Sequence, residues 1–227
     1  MRLKTIKFAF IKSIPVCAGY IFLGMGFGIL LRNAGYGVIW AFCMSLFIYA
    51  GVMQYVGVNL LASNASIITT AVTTFMVNAR HLFYSIAMIA RYSDTNKYNP
   101  YLYYGLTDET YSLLCDCEIP EGLDKGEYLF YVTLFNHSYW ILGGVLGNIL
   151  GSVLPFSFSG VEFSMTAIFV ASFTEQCLNN KDHLPAITGT VSTLTCLIIF
   201  GRDNFLIPAM LIITAVLLIF GKKRGEL

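Results

Sequence analysis

The strongest constraint on this chain is where its charged residues are missing. Residues 13–31, 33–79, 128–161, 183–201 and 204–221 contain no Lys, Arg, Asp or Glu. A helix needs roughly 20 apolar residues to cross a bilayer core. The 33–79 stretch is 47 residues long and has room for two such helices. Charged residues are 12% of the 227-residue chain and hydrophobic ones 56%, against about 25% charged in soluble domains. A soluble fold of this length cannot hide that much apolar surface, so the expected solvent is a membrane. A net charge of +1 with no basic patch speaks against nucleic-acid binding. The six cysteines form no metal or redox spacing, since Cys115 and Cys117 are two apart, and they read as small buried hydrophobes.

The pattern divides into eight segments: 14–31, 38–61, 67–90, a shorter polar one at 101–115, 128–150, 163–178, 184–200 and 205–220. The expected fold is all-α: a polytopic integral membrane protein of about 7–8 transmembrane helices, one membrane domain over 1–227. Arg2, Lys4, Lys7, Lys12, Lys222, Lys223 and Arg224 place seven of the fourteen basic residues at the two ends. The positive-inside rule then puts both termini in the cytoplasm, and eight crossings satisfy that. Arg91 and Lys97 fall outside on this reading, against the rule. If 101–115 only dips into the membrane, the parity fails unless another segment also re-enters. Four basic residues before an apolar run resemble a signal peptide, but no A-x-A-like site follows, so a retained first span is expected. Pro15 at its head fits a helix start.

Three matches recur in the same order. Gly24–Gly28 resembles Gly143–Gly147 at an offset of 119, residues 47–54 resemble 169–176 at 122, and Thr69–Thr74 resembles Thr188–Thr193. They suggest repeat halves at 14–91 and 128–200, parallel with four crossings between copies and inverted with three. Transporters are often built from such repeats. Shared membrane composition produces similar matches.

Polar groups within the spans are the candidate functional residues, because they are expensive there. Arg80, in Asn78-Ala-Arg80-His81, would cost about 2.5–3.5 kcal/mol at a helix centre. It needs an acid, a carbonyl, a cavity or an anionic substrate. Asp108, Glu109 and Glu175 are the candidate acids. Arg80 therefore binds a substrate carboxylate, forms a structural ion pair, or snorkels to the surface. Asn136 and His137 lie inside the fifth span, where His137 is either a proton relay or a helix-to-helix hydrogen bond. Gln54, Glu175 and Gln176 are placed to line a polar path. No zinc-ligand spacing, Walker A, zinc-protease or serine-hydrolase pattern is present, so neither a metal, a cofactor nor an enzymatic activity is expected.

Pro15 with the glycine-rich first span, Tyr49-Ala-Gly-Val-Met-Gln54, Val77-Asn-Ala-Arg-His-Leu-Phe-Tyr84 and Leu106-Thr-Asp-Glu-Thr-Tyr111 together resemble the AzlC family over essentially the whole chain. The resemblance implies a bacterial inner-membrane protein exporting branched-chain amino acids and their analogues with a small AzlD-like partner of about four spans. Some family members carry the label of an ABC-type permease, which these residues do not support. Gln54, Asn78, Arg80, His81, Thr107, Asp108 and Glu109 occupy family motif positions. The expected function is secondary transport of an amino acid across the lipid bilayer, driven by an ion gradient, with Asp108, Glu109, Glu175 and His137 as the candidates to carry a coupling proton. The alternatives are an ABC-type permease subunit and a channel or non-transporting scaffold.

Overall fold

A computed structural model of the protein describes residues 2–93, 95, 97–115, 117, 119–120, 122–153, 170, 173–174, 177–178 and 183–224. Among these residues all regular structure is helical. In chain order the helices are α1 (Arg2–Asn33), α2 (Val38–Phe47), α3 (Gly51–Ala62), α4 (Ile67–Asn78), α5 (Arg80–Tyr92), α6 (Asn99–Tyr104), α7 (Asp108–Cys115), α8 (Lys125–Val153), α9 (Leu184–Asn204) and α10 (Leu206–Arg224).

The spine is α1 against α8. The two helices run parallel, as their partners show in order. Arg2 reaches the Tyr131 hydroxyl at 3.0 Å, Ser13 meets the Tyr139 hydroxyl at 3.0 Å, and Asn148 donates to the Gly28 carbonyl at 3.1 Å. Glycines let the backbones touch. A Cβ on Gly28 would lie 2.1 Å from the Gly144 carbonyl oxygen, and one on Gly147 would lie 2.1 Å from the Met25 oxygen. Small residues at helix contacts serve this purpose in membranes, where lipid gives helices no hydrophobic reason to associate. Pro15 lies inside α1, not at its head, because the helix begins at Arg2. A proline is tolerated within a membrane helix when neighbouring groups satisfy the freed backbone.

Segment 38–61 does not cross in one piece. It breaks at Tyr49, whose φ of +41° is a left-handed conformation unusual for a bulky residue. α2 descends from the far end of the spine, where Asn148 bonds the Tyr36 carbonyl, to half depth, where the Ser45 carbonyl meets His137. α3 then climbs back. Gly51 sits under Trp140, and the Tyr55 hydroxyl donates to the Leu23 carbonyl at 2.7 Å with its ring against Phe27. Met44 of α2 faces Gly57 of α3 across the hairpin. At 1.5 Å per residue each arm spans about 15–18 Å, half of a bilayer core of roughly 30 Å.

Segment 101–115 does the same from the near end. Tyr98 packs on Phe130, and the Tyr101 hydroxyl reaches His137 at 2.9 Å. The chain turns at Gly105–Thr107. α7 returns past Asn136, which bonds Thr110 at 3.0 Å, and Cys117 meets the Tyr128 hydroxyl at 2.9 Å. The tips of the two hairpins touch at half depth, where the Tyr49 and Tyr104 rings are 6.4 Å apart and Tyr104 donates to the Leu46 carbonyl. Between the hairpins, α4 and α5 form one passage through the full depth, interrupted only at Ala79. Segment 101–115 thus dips rather than crosses, and 38–61 is a second segment that re-enters with it. Arg91 and Lys97 come to the near end with the start of α1, which removes their conflict with the positive-inside rule.

Two aromatic-rich cores follow from this plan. Tyr20, Leu23, Phe27, Met44, Tyr55 and Trp140 enclose the first hairpin. Ala9, Met88, Tyr92, Leu102, Leu114, Tyr128 and Val132 enclose the second. α9 and α10 pack on each other, α10 touches α4, and Gly201 interrupts α9 with φ +74°. α1 and 184–201 are each long and apolar enough to cross a membrane alone. Outward-facing Ile67, Ile68, Phe75, Ile86, Ile89, Ile198 and Ile199 present an apolar surface that suits lipid. Most of the expected sixth span, 163–178, lies outside the described residues, and the rest of it is too short to test the repeat.

Two measurements check this plan. In a cysteine-free background, Asn33→Cys and Ser63→Cys label with an impermeant thiol reagent from the same side, and so do Ser93→Cys and Lys125→Cys from the other. Labelling of the first two from opposite sides would mean that 38–61 crosses. Gly28→Ala lowers detergent-solubilised stability by about 1–3 kcal/mol, as overpacking does, and thermal unfolding reads this. Gly19→Ala, with open space around its Cβ, changes it little.

Candidate substrate pocket at the hairpin tips

The pocket lies where three interrupted elements meet the spine. Its walls are Tyr20 and Leu23 of α1, Tyr49–Val52 of the first tip, Arg80 and His81 of α5, Thr107–Glu109 of the second tip, and Trp140 of α8. The cavity itself is small, about 30 Å³, room for about one water molecule, and it opens outward between the tips.

Each break supplies chemistry. At the first tip, α3 begins with no side chain capping its N–H groups, and a helix N-terminus favours negative charge. At the α4–α5 break the Asn78 carbonyl is released, and His81 Nδ1 donates to it at 3.2 Å. This places Arg80 Nη1 2.8 Å from Asp108 Oδ2. At the second tip, Thr107 caps α7 by accepting the Thr110 N–H at 3.3 Å, so Asp108 and Glu109 occupy the first turn, where helix dipoles favour acids. The Tyr20 hydroxyl lies 2.5 Å from Thr107 Oγ1 and 2.7 Å from Glu109 Oε2.

The structure thus brings Arg80, His81, Thr107, Asp108 and Glu109 together. Of the three roles left open for Arg80, snorkelling to the surface does not fit. Gln54, fully buried, takes the Trp140 indole N–H at 2.7 Å and stands behind the pocket wall. Asn136 holds α7 to α8 through Thr110. Asn78 lines a separate groove on α4 with Ala71, Phe75 and Leu82. Glu175 and Gln176 lie outside the described residues.

His137 is held at both nitrogens. Its Nε2 donates to the Ser45 carbonyl at 3.2 Å, and its Nδ1 accepts from the Tyr101 hydroxyl at 2.9 Å. Those two bonds suit one neutral tautomer. The ring stacks on Tyr49 at 4.1 Å. Together with Tyr104 it satisfies carbonyls that the end of α2 leaves open at membrane depth, a need that lipid cannot meet. This arrangement favours the helix-to-helix bond over a proton relay.

Sequence reasoning missed Tyr20, Tyr49 and Trp140. Tyr20 and Trp140 carried a faint signal, because a buried Tyr hydroxyl or Trp N–H needs a partner. Nothing in the sequence marks the backbone conformation of Tyr49.

Broken helices meeting at half depth around a charged pocket are a construction that secondary transporters also use, and this fold is that of an all-helical protein whose apolar helices suit a membrane. The chain belongs to the AzlC family, whose profile, described as AzlC protein, matches residues 15–154. It is 42% identical to the branched-chain amino acid transport protein AzlC of Bacillus subtilis (strain 168), over 94% of this chain and 84% of that one. An uncharacterized membrane protein of Helicobacter pylori (strain ATCC 700392 / 26695) is 40% identical over 97% of both chains. The inner membrane protein YgaZ of Escherichia coli (strain K12) is 26% identical over 83% of this chain and 80% of its own length. No solved structure matches. Family and relatives support a role in membrane transport.

His137→Ala leaves the Ser45 carbonyl unpaired. It is expected to cost about 1–3 kcal/mol of stability, the penalty of an orphaned buried acceptor, without shifting the pH profile of transport. A thermal-unfolding series alongside a flux assay over pH separates the two effects.

Proposed function

We propose that this chain is the large subunit of a secondary transporter, not an enzyme, and that it exports branched-chain or similar hydrophobic amino acids. It works across the bacterial cytoplasmic membrane with a small AzlD-like subunit and no cofactor. The observation that carries this reading is the Arg80–Asp108 pair at the mouth of two broken helices. A zwitterionic amino acid matches it. The substrate carboxylate displaces Asp108 from Arg80 and takes the open N–H groups of α3. The ammonium meets the released Asp108. The aliphatic side chain packs on Leu23, Val52 and Trp140, which also line the pocket. Among the described side chains the near end holds Arg2, Lys4, Lys7, Lys12, Arg91, Lys97 and Lys125 and the far end Arg32, which supports a cytoplasmic N-terminus. Family membership and the name of the Bacillus relative support the substrate class.

The test is labelled-leucine flux in proteoliposomes, with and without the small subunit, under an imposed pH gradient. Arg80→Ala raises the half-saturating leucine concentration by tenfold or more, as expected from the ~2–5 kcal/mol attached to truncating one member of a buried charge pair. The double variant Arg80→Ala with Asp108→Asn folds but stays inactive. Normal flux in the double variant would reduce the pair to a structural lock. Flux that ignores the gradient and needs an ATPase would identify a permease subunit.

A further inference from the structure

The pocket holds two adjacent acids in different situations. Asp108 is paired with Arg80 at 2.8 Å. Glu109 has no cation within 4 Å among the described residues, and its partner is a hydroxyl, that of Tyr20 at 2.7 Å. Tyr20 is only 3% exposed, so water does not compete for that bond. The other titratable groups around the pocket are Tyr49 of the first tip, Arg80, His81 and Tyr84 of α5, and Asp108 beside Glu109. An acid that lines a cavity, whose nearest cation Arg80 is engaged by a neighbouring carboxylate and whose direct partner is a hydroxyl, is able to exist in both protonation states.

Tyr20 has one hydroxyl proton and two acceptors, Glu109 Oε2 and Thr107 Oγ1 at 2.5 Å. When Glu109 is ionised, Tyr20 donates to it. When a proton from pocket water forms the O–H bond on Oε2, Glu109 becomes the donor and Tyr20 turns its own proton to Thr107. Thr107 caps α7 and touches Thr110 at 3.0 Å, and Asn136 of α8 donates to Thr110 at 3.0 Å. One proton on Glu109 therefore reorders hydrogen bonds that join α1, the second tip and α8.

We propose that Glu109 binds and releases the coupling proton, and that Tyr20 is the positioning residue that passes its protonation state to the α6–α7 tip through Thr107. The proposal rests on the transporter reading above and deepens it by naming the coupling site.

Two measurements separate failure of this proposal from failure of that reading. The first needs no substrate: pH-difference infrared spectroscopy of the full chain in lipid. A carboxylic-acid C=O band that titrates in wild type is expected to vanish in Glu109→Gln and to move in Tyr20→Phe. A band unchanged by Glu109→Gln overturns the proposal even if the chain transports leucine. The second compares leucine counterflow at equal pH with accumulation driven by a pH gradient. Glu109→Gln is expected to lower gradient-driven accumulation far more than counterflow, so that the ratio of the two falls by tenfold or more, and Glu109→Asp to restore accumulation with a shifted pH profile. Accumulation at the wild-type level in Glu109→Gln, or equal loss of counterflow and accumulation in folded protein, overturns the coupling role. If Glu109→Gln does not fold, Tyr20→Phe decides: an unchanged band and pH profile overturn the proposal. Absence of leucine counterflow in wild type counts against the transporter reading and leaves the infrared result to stand on its own.

Discussion

Everything in this molecule hangs on the contact between α1 and α8. Lipid supplies no hydrophobic force to drive two helices together, so van der Waals contact and backbone proximity must do it. Gly24, Gly28, Gly143 and Gly147 bring the two backbones into direct touch, and Asn148 ties the far end by bonding the Gly28 and Tyr36 carbonyls. Because the two helices are parallel, the chain between them must leave and return with one net passage. α4–α5 provides it. The remaining segments are then left to enter from either end and turn back, and they meet in the middle.

That meeting produces the site. A helix interrupted at membrane depth exposes N–H and C=O groups that lipid cannot satisfy. Part of the demand is met by His137 and Tyr104, which bond carbonyls at the end of α2, and by His81, which bonds Asn78. The first turn of α3 has no side chain capping its N–H groups, and its Gly51 and Val52 line the pocket. The residues that look most reactive in the sequence thus divide in two. His137, Asn136 and Gln54 complete the frame. Arg80, Asp108 and Glu109 face the cavity.

Much of this was legible beforehand. The charge-free runs mark the membrane class, and α8, α9 and α10 begin and end close to where the apolar stretches do. Arg80 and the Thr-Asp-Glu run stand out because charge inside an apolar helix is costly, and their resemblance to one family held when the chain was compared with known proteins. The break at Tyr49 was not legible. Val38–Phe47 and Gly51–Ala62 are apolar enough to read as one continuous span, and hydropathy carries no information on direction.

The sequence by itself determined the solvent, the family and the handful of charged groups that a membrane would tolerate only for a reason, since composition and local pattern suffice for those. The tertiary structure decided that two segments re-enter, that Arg80 meets Asp108 across 28 residues of chain, and that Glu109 faces Tyr20 from a helix 89 positions away. Those pairings depend on which helices lie side by side. That is set by the summed packing of glycine surfaces and the need to satisfy open backbone groups, neither of which is written in any short stretch of residues.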